Sequence, residues 1–206
     1  MRDIAEEIRD HVVAIARESE TLVSERDIAE KFNISRSNSR KLLMNMEGEG
    51  LLKSIPQRGY QPIDYSHTSP ATLFRVRAVI EAEAARTACV KAAREDILRL
   101  MLIMEEMEEA LATRDIARLS KADLDFHYTL VAASKDNMLI RIFGFILIPR
   151  AHGIKWDSEL CHDVTVADHR RILAAVKARK PVEAEKAVMA HIGANHREAD
   201  ADDSGK

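Results

Sequence analysis

From Ala71 onward the chain lacks the apolar–polar alternation that a half-buried strand requires; apolar residues recur instead every three to four positions. That period confines this half of the molecule to helices. Six are expected, at 70–93, 95–112, 114–134, 136–156, 162–180 and 182–198, with breaks at Arg94-Glu95, Thr113, Lys135-Asp136, Asp157-Ser158 and Lys180-Pro181. Aromatic residues make up only 4% of the chain, while Ala, Leu, Ile, Glu and Arg dominate, which further favours helix over sheet. The expected architecture of residues 71–198 is therefore an all-α antiparallel bundle, followed by a polar, disordered tail over 199–206. The most apolar segment, RIFGFILIP at 141–149, is too short to cross a bilayer, and no apolar run of about 18 residues or signal-peptide core is found. Cys89 and Cys161 lie outside any CxxC spacing. Reduced thiols in a cytoplasmic protein, with no membrane partner, are the simplest expectation.

Residues 1–65 are patterned differently. Ile4, Ile8, Val12 and Ile15 form one helical stripe. Ser24 precedes a short helix, Glu25–Phe32, with Asp27 three positions on as an imperfect capping box. After the turn at Asn33-Ile34, Ser35 caps a further helix that runs to about Glu47 and stops at Gly48-Glu49-Gly50. Leu51–Ile55 and Gly59–Ile63 then read as two strands around Pro56-Gln57-Arg58-Gly59. Helix, helix, turn, helix, hairpin is the order of a winged helix-turn-helix. The polar stretch DYSHTSP, Asp64–Pro70, ends in a helix-start signal, and a linker is placed at 66–70. The whole chain is thus expected to be mainly α, a winged module followed by a helical bundle.

SERDIAEKFNISRSNSRKLLMNMEGEGLLKSIPQRGY resembles the DNA-binding module of the GntR family of bacterial transcription regulators. The resemblance rests on Glu25-Arg26, Ser35-Arg36, Arg40, Glu49-Gly50-Leu51 and Arg58-Gly59, in that order over about 40 residues. Two features depart from the family: Glu18–Val23 replaces a Pro-Gly loop, and Ser37-Asn38-Ser39 stands where Thr-Pro-Val is frequent. Arg36 and Arg40 lie four apart at the start of the expected recognition helix, the end that enters a major groove, where Arg bonds a guanine edge through two atoms. Ser35, Ser37, Asn38 and Ser39 are short polar groups suited to phosphates or base edges, Arg26 opens the preceding helix, and Arg58 and Gly59 mark the wing tip. The chain's net charge of -3 excludes a bulk polycation, whereas residues 24–60 hold seven Lys and Arg against five Asp and Glu, net +2. A local reader is indicated rather than a non-specific DNA coat. The resemblance implies double-stranded operator DNA as partner, and a homodimer to read two half-sites.

In the second half, Asp123 and His127 lie four apart and so about 40° apart on one helix face, among Leu124, Phe126, Leu130 and Val131. His169 and His191 lie on two later helical segments. One Asp and three His from three helices make a candidate transition-metal site. LFRVRAVIEAEAARTA resembles the opening of the FCD effector domain of the FadR branch of GntR regulators, with Arg77 and Glu81 at its Arg-x3-Glu. DLDFHYTLVAASKDNMLIRIF matches the same domain's Asp-x3-His helix, and DHRRILAAVKARKPVEAEKAVMAHI its closing helix pair; six helices place it with the VanR-like group. The resemblance implies a divalent metal held by Asp123, His127, His169 and His191, with Zn²⁺ or Ni²⁺ suited to the imidazole–carboxylate set. A small carboxylate effector beside the ion is implied too, with Arg77, Arg150 and Asn195 as candidate contacts. Two alternatives stand beside these: Arg77 in an i,i+4 ion pair with Glu81, and Arg150 at a solvated helix end. The expected function is a ligand-responsive, DNA-binding transcription repressor, not an enzyme. The rivals are a metal-dependent hydrolase, against which no Asp or Glu is clearly paired with these histidines, and a regulator for which the metal itself is the signal.

Overall fold

The structure is a computed structural model that describes residues 4–16, 22–65, 68–147 and 162–203; for residues 16, 70, 162–165 and 194–203 it describes the main chain alone. The chain divides into two units between Thr68 and Ser69.

In the first unit, helix α1 (Ile4–Ala16) turns Ile8 and Val12 fully inward, as their four-residue spacing requires. Helix α2 (Glu25–Lys31) starts where Ser24 Oγ accepts from the Asp27 amide at 3.1 Å. Helix α3 (Arg36–Gly48) starts where Ser35 Oγ accepts from the Asn38 amide at 3.1 Å. Asn33, at φ 51, makes the turn between them. Gly50, at φ 81, lets the chain leave α3, and the Leu51 amide donates back to Met46. Strands β1 (Leu52–Ile55) and β2 (Gly59–Pro62) pair antiparallel, Leu52 opposite Pro62 and Ile55 opposite Gly59. Val23 exchanges two main-chain hydrogen bonds with Tyr60, at 2.7 and 2.8 Å, and so adds an isolated antiparallel bridge to β2. Ile8, Val12, Val23, Ile28, Leu43, Met46, Leu51, Leu52 and Tyr60 close the core. Helices, hairpin and their order agree with the sequence reading to within a residue or two.

The second unit contains α4 (Pro70–Lys91), α5 (Arg94–Ala112), α6 (Ile116–Ala133), α7 (Asn137–Ile146), α8 (His162–Lys177) and α9 (Pro181–Asp203). Helix α4 lies most extensively along α9. Ala78, Ala82, Ala85 and Ala88 are buried on it, and their small side chains allow the two backbones to approach. The stripe Ala184, Val188, Ile192 on α9 and the stripe Val166, Ile172, Val176 on α8 face the same core. On α6, Phe126 and Leu130 are fully buried; Asp115 caps its start by accepting from the Arg118 amide at 3.0 Å. Arg179, at φ 56 in the turn after α8, donates to the main-chain oxygens of Cys89 at 3.1 Å and Ala92 at 2.8 Å, which satisfies carbonyls at the end of α4.

Two differences from expectation follow. Helix α9 continues to Asp203, through residues expected to form a disordered tail from Ala199. Main-chain hydrogen bonding thus prolongs the helix past the end of its apolar stripe. The second half of the helix expected at 136–156, with Arg150, lies outside the described residues, as does the break at Asp157-Ser158. No described helix is long and apolar enough to cross a membrane.

Candidate metal centre and nucleic-acid interface

Three helices of the second unit converge on one point. Asp123 and His127 come from consecutive turns of α6, His169 from α8 and His191 from α9, and one donor atom from each lies within 4.8 Å of every other. His127 Nε2 stands 3.2 Å from His169 Nε2 and 3.3 Å from His191 Nε2. Asp123 Oδ1 is 3.3 Å from His169 Nε2 and 3.8 Å from His127 Nε2. The three imidazoles are fully or almost fully buried, while the Asp123 side chain keeps 22% exposure. Phe126, fully buried, packs edge to face with His169, their ring centroids 4.7 Å apart.

The outer nitrogens explain the orientation of two of these rings. His127 Nδ1 meets Glu81 Oε2, and Arg77 Nε donates to Glu81 Oε1; Arg77, Glu81 and His127 are all buried. His191 Nδ1 lies 3.6 Å from Asp168 Oδ2, and Arg171 reaches the other oxygen of Asp168 at 2.8 Å. A proton on each Nδ1 leaves the Nε2 lone pair aimed inward. Burial, with Arg77 nearby, holds the His127 imidazole well below its ordinary range, against the pull of Asp123, so the ring is neutral at pH 7. Burial alone would raise Asp123, but His127, His169, Arg77 and His191 more than offset it and bring the carboxyl down to about 2. Burial likewise pushes the Glu81 carboxyl up, and Arg77 beside it opposes the shift.

With Nδ1 of His127 facing Glu81 and Nδ1 of His191 facing Asp168, their Nε2 atoms turn inward toward His169 Nε2 and the Asp123 carboxylate. A cation among them would be met by inward nitrogens and a carboxylate charge together. The donor set, a carboxylate and three imidazoles, is that of a borderline divalent ion, so the residues fit a metal.

All four sequence-predicted ligands are therefore brought together. The sequence reading missed the outer ring: Glu81 pairs with His127 and Asp168 approaches His191, although no carboxylate was expected to pair with these histidines. Both carboxylates stand behind their imidazoles, at Nδ1, and not beside the Nε2 atoms. Glu81 is 46 positions from His127, so no local spacing reveals it. Asp168 adjoins His169 in sequence yet serves His191. Arg77 is held in the ion pair with Glu81, the alternative to an effector contact. Arg150 lies outside the described residues, and Asn195 sits on α9 where only the main chain is described.

In the first unit, Arg36, Ser37, Asn38 and Arg40 are exposed at the start of α3. Arg40 Nε lies 3.6 Å from Glu25 Oε1, and Arg26 donates to Glu30 at 2.7 Å. These exposed ion pairs are worth little and are cheap to exchange for phosphate. The hydroxyl of Ser35 caps α3, as expected. Two assignments change. Ser39 is completely buried and faces the core, not a groove. Gly59 is not at the tip: the turn is Ile55–Arg58, with Gln57 at φ 62 and the Arg58 amide donating to Ile55. Gly59 opens β2 at φ +108, and a Cβ there would lie 2.6 Å from the Val23 carbonyl oxygen. Close approach of the backbone accounts for this glycine. Arg58 is exposed at the turn.

Residues 72–194 match the profile of the FCD domain. Among relatives, the chain is 25% identical over 213 residues to the Uxu operon transcriptional regulator of Escherichia coli (strain K12), across 93% of this chain and 83% of that protein. It is 27% identical over 210 residues to the Exu regulon transcriptional regulator of the same strain, across 92% and 79%. Among solved structures, E. coli McbR/YncC is similar with a TM-score of 0.68 at 15% identity, covering 98% of this chain and 99% of that one. Streptococcus agalactiae GntR is similar with a TM-score of 0.58 at 20% identity, covering 94% and 99%. At these identities the structural likeness is one of fold.

Proposed function

The chain belongs to the FCD domain family, as a regulator of the GntR type, and from that premise we propose that it is a DNA-binding transcription repressor whose second unit binds a divalent metal ion and, beside it, a small organic acid. The observation that carries the proposal is the buried convergence of Asp123, His127, His169 and His191 within 4.8 Å. These four residues would hold the ion, Zn²⁺ or Ni²⁺ by the character of the donors. Such an ion supplies a Lewis-acid centre that attracts an anionic oxygen.

The surrounding charges favour an anionic effector. Arg77 balances Glu81, and Arg171 balances Asp168. Against a divalent ion there remains the single negative charge of Asp123, so a loaded site is left with one net positive charge. Asp123 also has the greatest exposure of the four side chains, which opens the site on its side. Glu81 and Asp168 lie at Nδ1, away from where a water nucleophile would need its base. That supports a sensing role over hydrolysis.

On the DNA side, Arg36 and Arg40 would read base edges from the start of α3, with Ser37, Asn38, Arg26 and Arg58 contacting phosphates. A homodimer would set two such modules on a two-fold operator. Effector binding shifts operator affinity by its differential affinity for two arrangements of the protein, commonly about 1–3 kcal/mol.

The test is metal analysis of the purified chain followed by titration of small mono- and dicarboxylic acids against operator retention. One ion per chain, and an acid that changes DNA affinity about 5- to 150-fold, are expected. An ion content near zero, or indifference of DNA binding to every acid that binds, overturns the reading. Chelation at constant acid concentration separates acid sensing from ion sensing.

A further inference from the structure

We propose that Glu81 and Asp168 are positioning residues that hold His127 and His191 with Nε2 directed at the ion, and that Arg77 acts through Glu81 to the same end. The inference rests on the metal-binding reading above and extends it to residues that hold no ion themselves.

Four groups converge, but convergence alone does not decide which nitrogen each imidazole presents. A neutral histidine carries its proton on one nitrogen only, and the hydrogen bond made by the other nitrogen selects the form. For His127 that selection is built into the core. Glu81 Oε2 occupies the Nδ1 side, so the proton resides there and Nε2 is left as an acceptor facing His169 and His191. For His191 the carboxylate of Asp168 stands on the Nδ1 side at 3.6 Å. Each carboxylate is itself held by an arginine one turn away on its own helix, Arg77 on α4 and Arg171 on α8. The arrangement Arg–carboxylate–imidazole therefore occurs twice around the cluster.

The buried member is the more telling of the two. Glu81 is fully buried and Arg77 almost so, and a buried ion pair is weak support for stability because desolvation of both charges opposes its formation. Glu81 uses both oxygens, one for Arg77 and one for His127. The pair also gives α4 its connection to the ion site: α4 provides none of the four ligands, yet Glu81 makes it responsible for the orientation of one. A pair kept only to join two turns of α4 would have no reason to point its second oxygen at an imidazole on α6.

The experiment uses the full chain. Zn²⁺ affinity is measured by competition with a chromophoric chelator for wild type, R77M/E81M, D168N and the surface control E83Q. In parallel, ¹H–¹⁵N NMR of the histidine rings in the metal-free wild type reads which nitrogen carries each proton. Expected are an Nδ1–H form for His127 and His191, a loss of Zn²⁺ affinity of about 10- to 100-fold in R77M/E81M and in D168N, and no change in E83Q. An Nε2–H form of His127 and His191 in the wild type, or wild-type affinity in folded R77M/E81M and D168N, overturns the proposal. Should R77M/E81M fail to fold, D168N and the wild-type ring spectrum decide. Failure of the wild type to take up Zn²⁺ overturns the metal reading and the positioning role together, whereas normal uptake with unaffected variants overturns the positioning role alone.

Discussion

The Nε2 atoms of His127 and His169 face each other 3.2 Å apart in the core of the second unit, with His191 Nε2 at 3.3 Å from the first. Helices α6, α8 and α9 thus bring their ring nitrogens to one point, where a bound cation would join them. Zn²⁺ at about 100 times its dissociation constant should raise the unfolding free energy by about 2.7 kcal/mol, read as a higher Tm in calorimetry that a chelator reverses. Replacement His191→Ala should abolish the shift, since even outer partners of a ligand are worth about 10- to 100-fold in affinity. A Tm indifferent to Zn²⁺ and chelator would refute this.

Acid should weaken the metal-free chain in a defined window. Burial, then Arg77, holds the His127 imidazole well below its ordinary 6.5. The unfolded chain, where that histidine titrates near 6.5, therefore binds the additional proton as pH falls. Stability from this group is fully present above about 6.5 and declines as pH drops below it. Asp123, held at about 2 against an ordinary 3.8, contributes stability that is present above 3.8 and is lost as pH falls from there toward 2. Thermal unfolding of the chelator-treated protein between pH 5 and 8 should show Tm falling on the acid side. A Tm that rises on acidification contradicts the neutral, buried His127.

Arg36 and Arg40 are exposed four residues apart on α3. Replacing either with Ala should cost about 1–3 kcal/mol of operator binding if it reads a base edge, with relaxed selectivity at that position. Arg58→Ala at the turn should weaken all DNA sequences alike and lower the salt dependence by about one ion. Retention assays across a salt series distinguish the two patterns. Undiminished sequence selectivity in the Arg36, Arg40 double variant would remove the basis for the DNA-reading assignment.

Gly59→Ala should destabilise the first unit without touching any DNA contact. The added methyl would lie 2.6 Å from the Val23 carbonyl oxygen, and φ is +108. Such backbone strain costs about 1–3 kcal/mol. Denaturant unfolding should detect it, with the second unit's Zn²⁺ response unchanged. A variant as stable as the wild type would mean that the Val23–Tyr60 bridge yields freely.

Local chemistry made much of this protein legible from its residues alone. The helical periods from Ile8 and Val12 to Val188 and Ile192, the caps at Ser24 and Ser35, and the turn at Pro56-Gln57 depend on neighbours within about one turn. So does the placement of Asp123 and His127 on one face. The tertiary structure decided everything that depends on which faces meet. It brought His169 and His191 to the α6 pair, set Glu81 behind His127 across 46 positions, gave Asp168 to His191 rather than to its neighbour, turned Ser39 inward, and required glycine at 59 because Val23 crosses there. The physical reason is range: hydrogen bonds and side-chain periodicity within a helix are written in adjacent residues, whereas the burial of an imidazole or the approach of two backbones belongs to packing between distant segments.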